Sequence, residues 1–384
     1  MLFKLLIRNA FRQKLRAVLT VFGMAVAVLA FGMLRTLVDA WYVGVSAAAA
    51  NRLLVRNAIS LTFFLPIAYA EKIKAVDGVS AVSHMTWFGG IYQDRKNFFA
   101  NFAVEARTFP DLYPEYTLTE AEREAFVKDR KGCVVGRGLA ERFGWGIGDT
   151  VTLQGTIFAG NWTFIVRGIY QGRDPGTDES QFFFHWEYLN ETLAARYPRR
   201  ANYVGIFLIR IDDPDSAPIV AGRVDTLFRN SLAETLTETE RAFQLGFVAM
   251  SEAILMAIRL VSLVIIAIIM AVVANTMIMS VRERMNEFAV FKTLGFGPGR
   301  LAGLILGESC VVCAAGGGLG IAAAFPLLHM LSGTIGSIFP VLEVSPLTLK
   351  LALAMVAAVA LVGAAFPIHR VLSVKIVDAL GRVA

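Results

Sequence analysis

Four long apolar runs punctuate the chain: Ala17 to Leu34, Leu260 to Val281, Leu301 to Leu328 and Leu351 to Ile368. Three of them hold no charged residue, and the third holds only Glu308. Each reaches the ~18–20 apolar residues that cross a hydrocarbon core as a helix. A buried soluble helix reaches this length on occasion, but four such runs in one chain predict four transmembrane helices.

Between the first and second runs the pattern shortens. Val151–Leu153 and Thr163–Tyr170 alternate as strands, joined through Gly155–Asn161 as a hairpin. Val79–Ser83 reads as a short strand after Gly78, and Val204–Ile211 as another, ended by Asp212-Asp213-Pro214. Pro66–Val76 reads as a helix, and Thr119–Arg130 as a second one behind a Thr cap. From Ala217 to Met250, Val224, Leu227, Phe228, Leu232, Leu236, Phe243 and Phe247 recur at three- and four-residue steps. That period predicts one stalk helix running into the second span. Residues 2–15 alternate apolar and basic positions, which predicts an amphipathic helix on the inner membrane surface.

The fold class expected is an α-helical membrane protein with four transmembrane helices and a large mixed α/β extracytoplasmic domain between helices 1 and 2. Its segments are a cytoplasmic amphipathic helix (1–16), the first span (17–40) and the outer domain (41–250, with its stalk at about 217–250). The second span (251–281), a cytoplasmic coupling loop (282–300) and the third span (301–330) follow. An outer loop (331–346), the fourth span (347–369) and a cytoplasmic tail (370–384) complete the chain.

Charge orients this arrangement. The net charge of +6 and isoelectric point near 9.3 raise the question of nucleic acid. Sorting the charges answers it. Lys4, Arg8, Arg12, Lys14 and Arg16 precede the first run, and Arg282, Arg284, Lys292 and Arg300 lie between the second and third. Arg370, Lys375 and Arg382 follow the fourth. Against them stand only Glu283, Glu287 and Asp378, whereas Trp41–Met250 carries 22 Lys/Arg and 24 Asp/Glu. Basic residues in short links mark the cytoplasmic side, so both termini are expected inside and 41–250 outside. The basic charge reports topology, with membrane lipid and no nucleic acid as the expected surroundings. An uncleaved signal anchor is favoured for the first run over a cleaved signal peptide, because the run passes Leu34 and its basic lead-in is long.

Candidate chemistry thins out quickly. No Gly-Lys pair occurs in the chain, so no nucleotide-binding P-loop is present. GxSxG and HExxH are also missing, and His84, His185, His329 and His369 are scattered. No enzyme activity, cofactor or metal is expected of this chain. Cys310 and Cys313 fall inside the third run, where packing explains two small side chains one turn apart. Gly316, Gly317 and Gly320, with the pair Gly303 and Gly307, likewise read as sites of close helix approach. Glu308 is costly in hydrocarbon and demands a role: a structural or coupling partner for Arg282 or Arg284, or a proton relay.

Residues 275–320 combine an Asn, an Arg-x-x-Glu on a short helix, a Lys-x-x-Gly turn and a Glu before a Gly-rich helix. They fall on Asn275, Arg284/Glu287, Lys292/Gly295, Glu308 and Gly316–Gly320. This pattern resembles the FtsX-like permease region of MacB, FtsX and lipoprotein-releasing ABC transporters. Arg8-Asn9, Lys14-Leu15-Arg16 and Ala365-Phe366-Pro367 resemble the family's first and last segments. Val134-Val135-Gly136 and Gly148-Asp149 resemble, more loosely, its external domain. The resemblance implies a permease in the bacterial inner membrane that pairs with a second copy or a paralogue. It also implies two separate ABC ATPase subunits, which would hold ATP and Mg, and possible contact with a periplasmic adaptor. Arg282, Glu283, Arg284, Glu287, Phe288, Phe291, Lys292 and Gly295 are the expected ATPase-coupling residues. Asn275, Gly303, Gly307, Glu308, Gly316, Gly317 and Gly320 are the expected packing and dimerisation residues. Export of a lipoprotein, glycolipid or amphiphile is the leading expectation. The alternative is a mechanotransducer that regulates a cell-wall hydrolase or sensor and moves no substrate.

Overall fold

The computed structural model describes residues 8–43, 45, 48–174, 176–335 and 342–373. They divide into two compact units. In chain order the helices are α1 (Lys14–Trp41), α2 (Tyr69–Lys74), α3 (Phe109–Leu112), α4 (Glu120–Lys128), α5 (Arg137–Phe143) and α6 (Trp186–Arg196). Then come α7 (Ala217–Leu227), α8 (Glu240–Met250), α9 (Glu252–Glu283), α10 (Met285–Thr293), α11 (Pro298–Ile335) and α12 (Pro346–Ser373). The strands are β1 (Arg52–Asn57), β2 (Leu65–Pro66), β3 (Val79–Trp87), β4 (Gly90–Ile91), β5 (Asn101–Val104), β6 (Tyr116–Thr117) and β7 (Gly132–Gly136). The last six are β8 (Thr150–Gly155), β9 (Gly160–Gly172), β10 (Phe182–His185), β11 (Tyr203–Val204), β12 (Ile206–Ile211) and β13 (Thr235–Thr239).

The first unit holds α1, α9, α11 and α12, each long and apolar enough to cross a membrane. Met24, Ile269, Val273, Cys313, Met355 and Val359 meet in its core. Glycines set the helix spacing. A Cβ on Gly316 would lie 2.6 Å from that of Met24, and one on Gly320 would lie 2.5 Å from the Ala25 carbonyl oxygen. These two positions let α11 touch the backbone of α1. Gly317 makes room for the Val356 side chain of α12, and Gly363 of α12 for the Val273 side chain of α9. Gly303 has open space beside it. Of the amphipathic helix expected over 2–15, residues 1–7 lie outside the described residues. Residues 8–10 are helical, a turn follows, and α1 begins at Lys14.

The second unit is a mixed α/β domain. Its main sheet runs β13-β1-β12-β3-β5-β10-β7-β9-β8-β4, with β6 beside β9. Both faces are covered, which explains why Phe182-Phe183-Phe184-His185 is buried throughout instead of alternating. Phe182 and Phe184 enter a core with Ile73, Leu139, Leu189 and Val220 from α2, α5, α6 and α7. Phe183 faces the other way, toward Phe109, Leu112 and Phe126 of α3 and α4. The hairpin expected around 155–161 joins β8 to β9. Thr119 and Glu122 form a reciprocal capping box at the start of α4.

The single stalk helix expected over 217–250 is corrected. Helix α7 stops at Leu227, Asn230 adopts φ +59°, and β13 then pairs antiparallel with β1 before α8 begins. The cause lies in Thr235, Thr237 and Thr239, β-branched residues at alternate positions that favour a strand. Asp225 fixes the strand by accepting hydrogen bonds from the Thr235 and Thr237 hydroxyls at 2.9 and 2.7 Å.

Candidate coupling site

Helix α9 runs through Arg282 and Glu283, so these two residues end a span and do not lie on the short helix. The chain breaks at Arg284, whose φ of −107° and ψ of 18° leave the helical range, and α10 follows. Its far end is a Schellman motif. Gly295 sits at φ +82° and donates to the Lys292 carbonyl, Phe296 donates to the Phe291 carbonyl, and the Phe291 and Phe296 rings pack 5.3 Å apart. The Lys-x-x-Gly spacing is therefore a helix stop that only a residue at ease with positive φ accepts without strain. Pro298 then opens α11.

Arg284 turns inward from the break. It donates to Glu308 at 2.6 Å and to Glu287 at 2.9 Å. The side chains of Arg284 and Glu308 are 10% and 5% exposed, so each charge depends on the other. Glu287 also pairs with Arg12, while Glu283 accepts from Gln13 and from Arg16 at 2.8 Å. Burial works against the Glu287 charge, but hydrogen bonds from Arg12 and Arg284 hold its carboxyl below the usual range. These pairs join the lead-in to α1, the end of α9, the start of α10 and the first turns of α11. They surround a polar cleft of about 290 Å³ that also reaches Thr20, Thr276 and Ser309.

Placement corrects part of the docking face expected from sequence. Phe288 is 2% exposed and packs with Val281, Leu301, Ile305 and Val371, and Phe291 leans on the same cluster. The Phe288 ring is enclosed, while the Phe291 ring is half-buried. Lys292 donates to the Leu372 carbonyl on α12 at 3.2 Å. Instead, Val290, Leu294 and Phe296 stand exposed at 47%, 69% and 37%, beside exposed Arg282 and Asn286. Sequence reading passed over them because apolar residues lie on both sides of this nine-residue helix, and spacing does not say which side meets the core. Asn275 lies on an exposed face of α9. Among the described residues no cluster of His, Cys, Asp or Glu is arranged to hold a metal.

With this geometry in hand, the relatives can be named. A family model for the FtsX-like permease C-terminal region matches residues 259–376, which span α9 to α12. A second, for the MacB-like periplasmic core domain, matches residues 17–227, more than half of the chain. The chain belongs to the MacB/FtsX permease superfamily. A search of curated proteins finds no match. Solved structures similar to this MacB/FtsX-type chain include the extracellular domain of the noncanonic ABC-type transporter YknZ from Gram-positive bacteria. That domain is 14% identical, with 49% of this chain and 99% of that one covered, at a TM-score of 0.36. The periplasmic region of MacB from Actinobacillus actinomycetemcomitans is 10% identical, with 53% and 95% covered and a TM-score of 0.38. A domain of a putative permease from Porphyromonas gingivalis is 15% identical, with 50% and 90% covered and a TM-score of 0.34. Membership in the MacB/FtsX superfamily rests on the two family models.

Proposed function

We propose that this chain is the membrane subunit of an ABC transporter whose ATPase is a separate protein. It turns closure of that ATPase into movement of the outer domain, driving export or extraction of an amphiphilic substrate. Two copies, or this chain and a paralogue, would form the membrane core with two ATPase subunits, both termini in the cytoplasm. A periplasmic adaptor is a further possible partner.

The observation that carries this reading is α10. It is a short helix pinned on one side by Phe288 and the Arg284–Glu308 pair and stopped rigidly at Gly295, with an exposed apolar patch of Val290, Leu294 and Phe296 at its C-terminal end. A small apolar patch with a charged rim suits a cleft on a partner, and its rigid seating passes displacement to α9 and α11. The test is co-purification of the chain with its ATPase. Leu294→Asp with Phe296→Ser should weaken association by about 2–4 kcal/mol, the usual loss for an anchor. Phe288→Leu, on the inward side, should leave association intact. Full complex formation and transport by the double variant would refute the docking face.

A further inference from the structure

Far along the strand order from β1 and β13, the β8–β9 hairpin and the end of α6 enclose a pocket of about 180 Å³. Its floor is apolar and fixed. Phe158, Trp162 and Leu193 are 4%, 3% and 6% exposed. The Trp162 indole donates to the Phe158 carbonyl at 3.0 Å, so the floor presents no free polar atom from that ring. The rim is different. Arg196 and Arg200 line the opening with Tyr197, which is 50% exposed. The Arg200 guanidinium lies 5.4 Å from the Phe158 ring centre.

Among the described residues no carboxylate pairs with these cations. Of the domain's arginines, Arg52, Arg56, Arg123, Arg130 and Arg167 each hold a carboxylate. Others such as Arg95, Arg107 and Arg229 hold none among the described residues, so it is the apolar floor that sets Arg196 and Arg200 apart. Among the described residues Arg196, Arg199 and Arg200 hold none. Glu187 and Glu191, on the helix that supplies Arg196, are both engaged by Arg130. An apolar floor beneath guanidiniums that hold no carboxylate, Arg200 donating only to the Ile157 carbonyl at 3.4 Å, is complementary to a molecule with an anionic head and a compact apolar part. The volume is close to that of the ~150 Å³ cavity that accepts benzene, so it holds a ring or a short alkyl segment.

We infer that this pocket binds a small anionic amphiphile, its phosphate, sulfonate or carboxylate between Arg196 and Arg200 and its apolar part on Phe158 and Trp162. Guanidiniums pair planar or tetrahedral oxyanions with two donors at once, which an ammonium does not. As a substrate site the pocket rests on the transport reading above; as a binding site it rests on its own geometry.

The full chain in zwitterionic nanodiscs supplies the test, with 4-(4-fluorophenyl)butylphosphonate as probe and ¹⁹F NMR line broadening as readout. Saturable binding is expected, with 4-(4-fluorophenyl)butanol about tenfold weaker or worse, since it lacks the charge-assisted bonds. Arg196→Gln with Arg200→Gln should lower phosphonate affinity about tenfold while the melting temperature holds, because both side chains are exposed. Ala159→Phe, which obstructs the mouth, should abolish binding of both probes. Displacement by dihexanoylphosphatidylglycerol would mark a lipid head group as the natural source, and displacement by inorganic phosphate alone would mark a free anion. Non-saturable partitioning, or equal affinity in the wild type and the double Gln variant, would overturn the site. Binding without any effect on the partner's ATP turnover would leave the pocket standing and count against the transport reading.

Discussion

Arg284 and Glu308 show how one buried pair constrains what each residue is free to do. Removing one partner of a buried pair typically costs about 3–5 kcal/mol, less where a second partner such as Glu287 remains, whereas replacing both by apolar residues is often neutral. Glu308→Ala should therefore lower the thermal stability of the chain in nanodiscs, and Arg284→Met with Glu308→Met should recover most of it. If the recovered protein also transports normally, the pair is structural only and proton relay through Glu308 is eliminated. His84 poses a separate residue-scale question. Burial against Trp186 pushes its imidazole down to about 4, and its Nε2 has no hydrogen-bond partner among the described residues. An unfolded His titrates near 6.5, so between these values the unfolded chain binds more protons than the folded one. Stability should be intact above pH 6.5 and fall by roughly 3 kcal/mol as pH drops toward 4. In chemical denaturation of His84→Phe at a series of pH values, a slope as steep as wild type's over that window would remove His84 as its source.

At the scale of elements, sequence legibility depended on how strongly a period repeats. The four spans were plain because each holds its apolar character over many turns. The capping box of α4 was half visible, through Thr119, and its partner Glu122 stands three residues on. A short helix was expected within 282–300 and α10 lies there, although Arg282 and Glu283 belong to α9; which of its residues face inward was decided by α11 and α12, which no local spacing encodes. The 217–250 segment failed for a different reason. Leu232 and Leu236 fit a helical count by chance, and the alternating threonines that override it span only five residues. Glycines in α11 carry the matching prediction. Gly320→Leu should drive α1 away from α11 and lower stability and yield, while Gly318→Leu, with open space beside it, should be tolerated. Equal behaviour of the two variants in a melting assay would argue against glycine-mediated contact.

For the whole molecule, charge segregation predicts an orientation with both termini inside. Single cysteines at Ala195 and Thr293, both exposed, should report it in a background lacking the native three. An impermeant thiol reagent applied to spheroplasts should reach position 195 and not position 293. The reverse pattern would invert the chain in the membrane and remove the docking reading with it.

The pairing of β1 with β13 governs how such a domain bears load. The chain enters through Ala49–Arg52 and leaves at Thr239-Glu240, so both attachments fall at one end of two adjacent antiparallel strands. Pulling the attachments apart would open the strands like a zipper, breaking one rung at a time. Glu240 locks the first rung: its carboxylate bridges the Ala49 amide at 3.1 Å and the Arg52 guanidinium at 2.7 Å, and Glu115 grips the same arginine at 2.6 Å. A tug that spreads the attachments therefore meets its stiffest resistance before any strand has parted. Single-molecule stretching of Glu240→Gln should find the domain ripping at lower force, although its core is untouched.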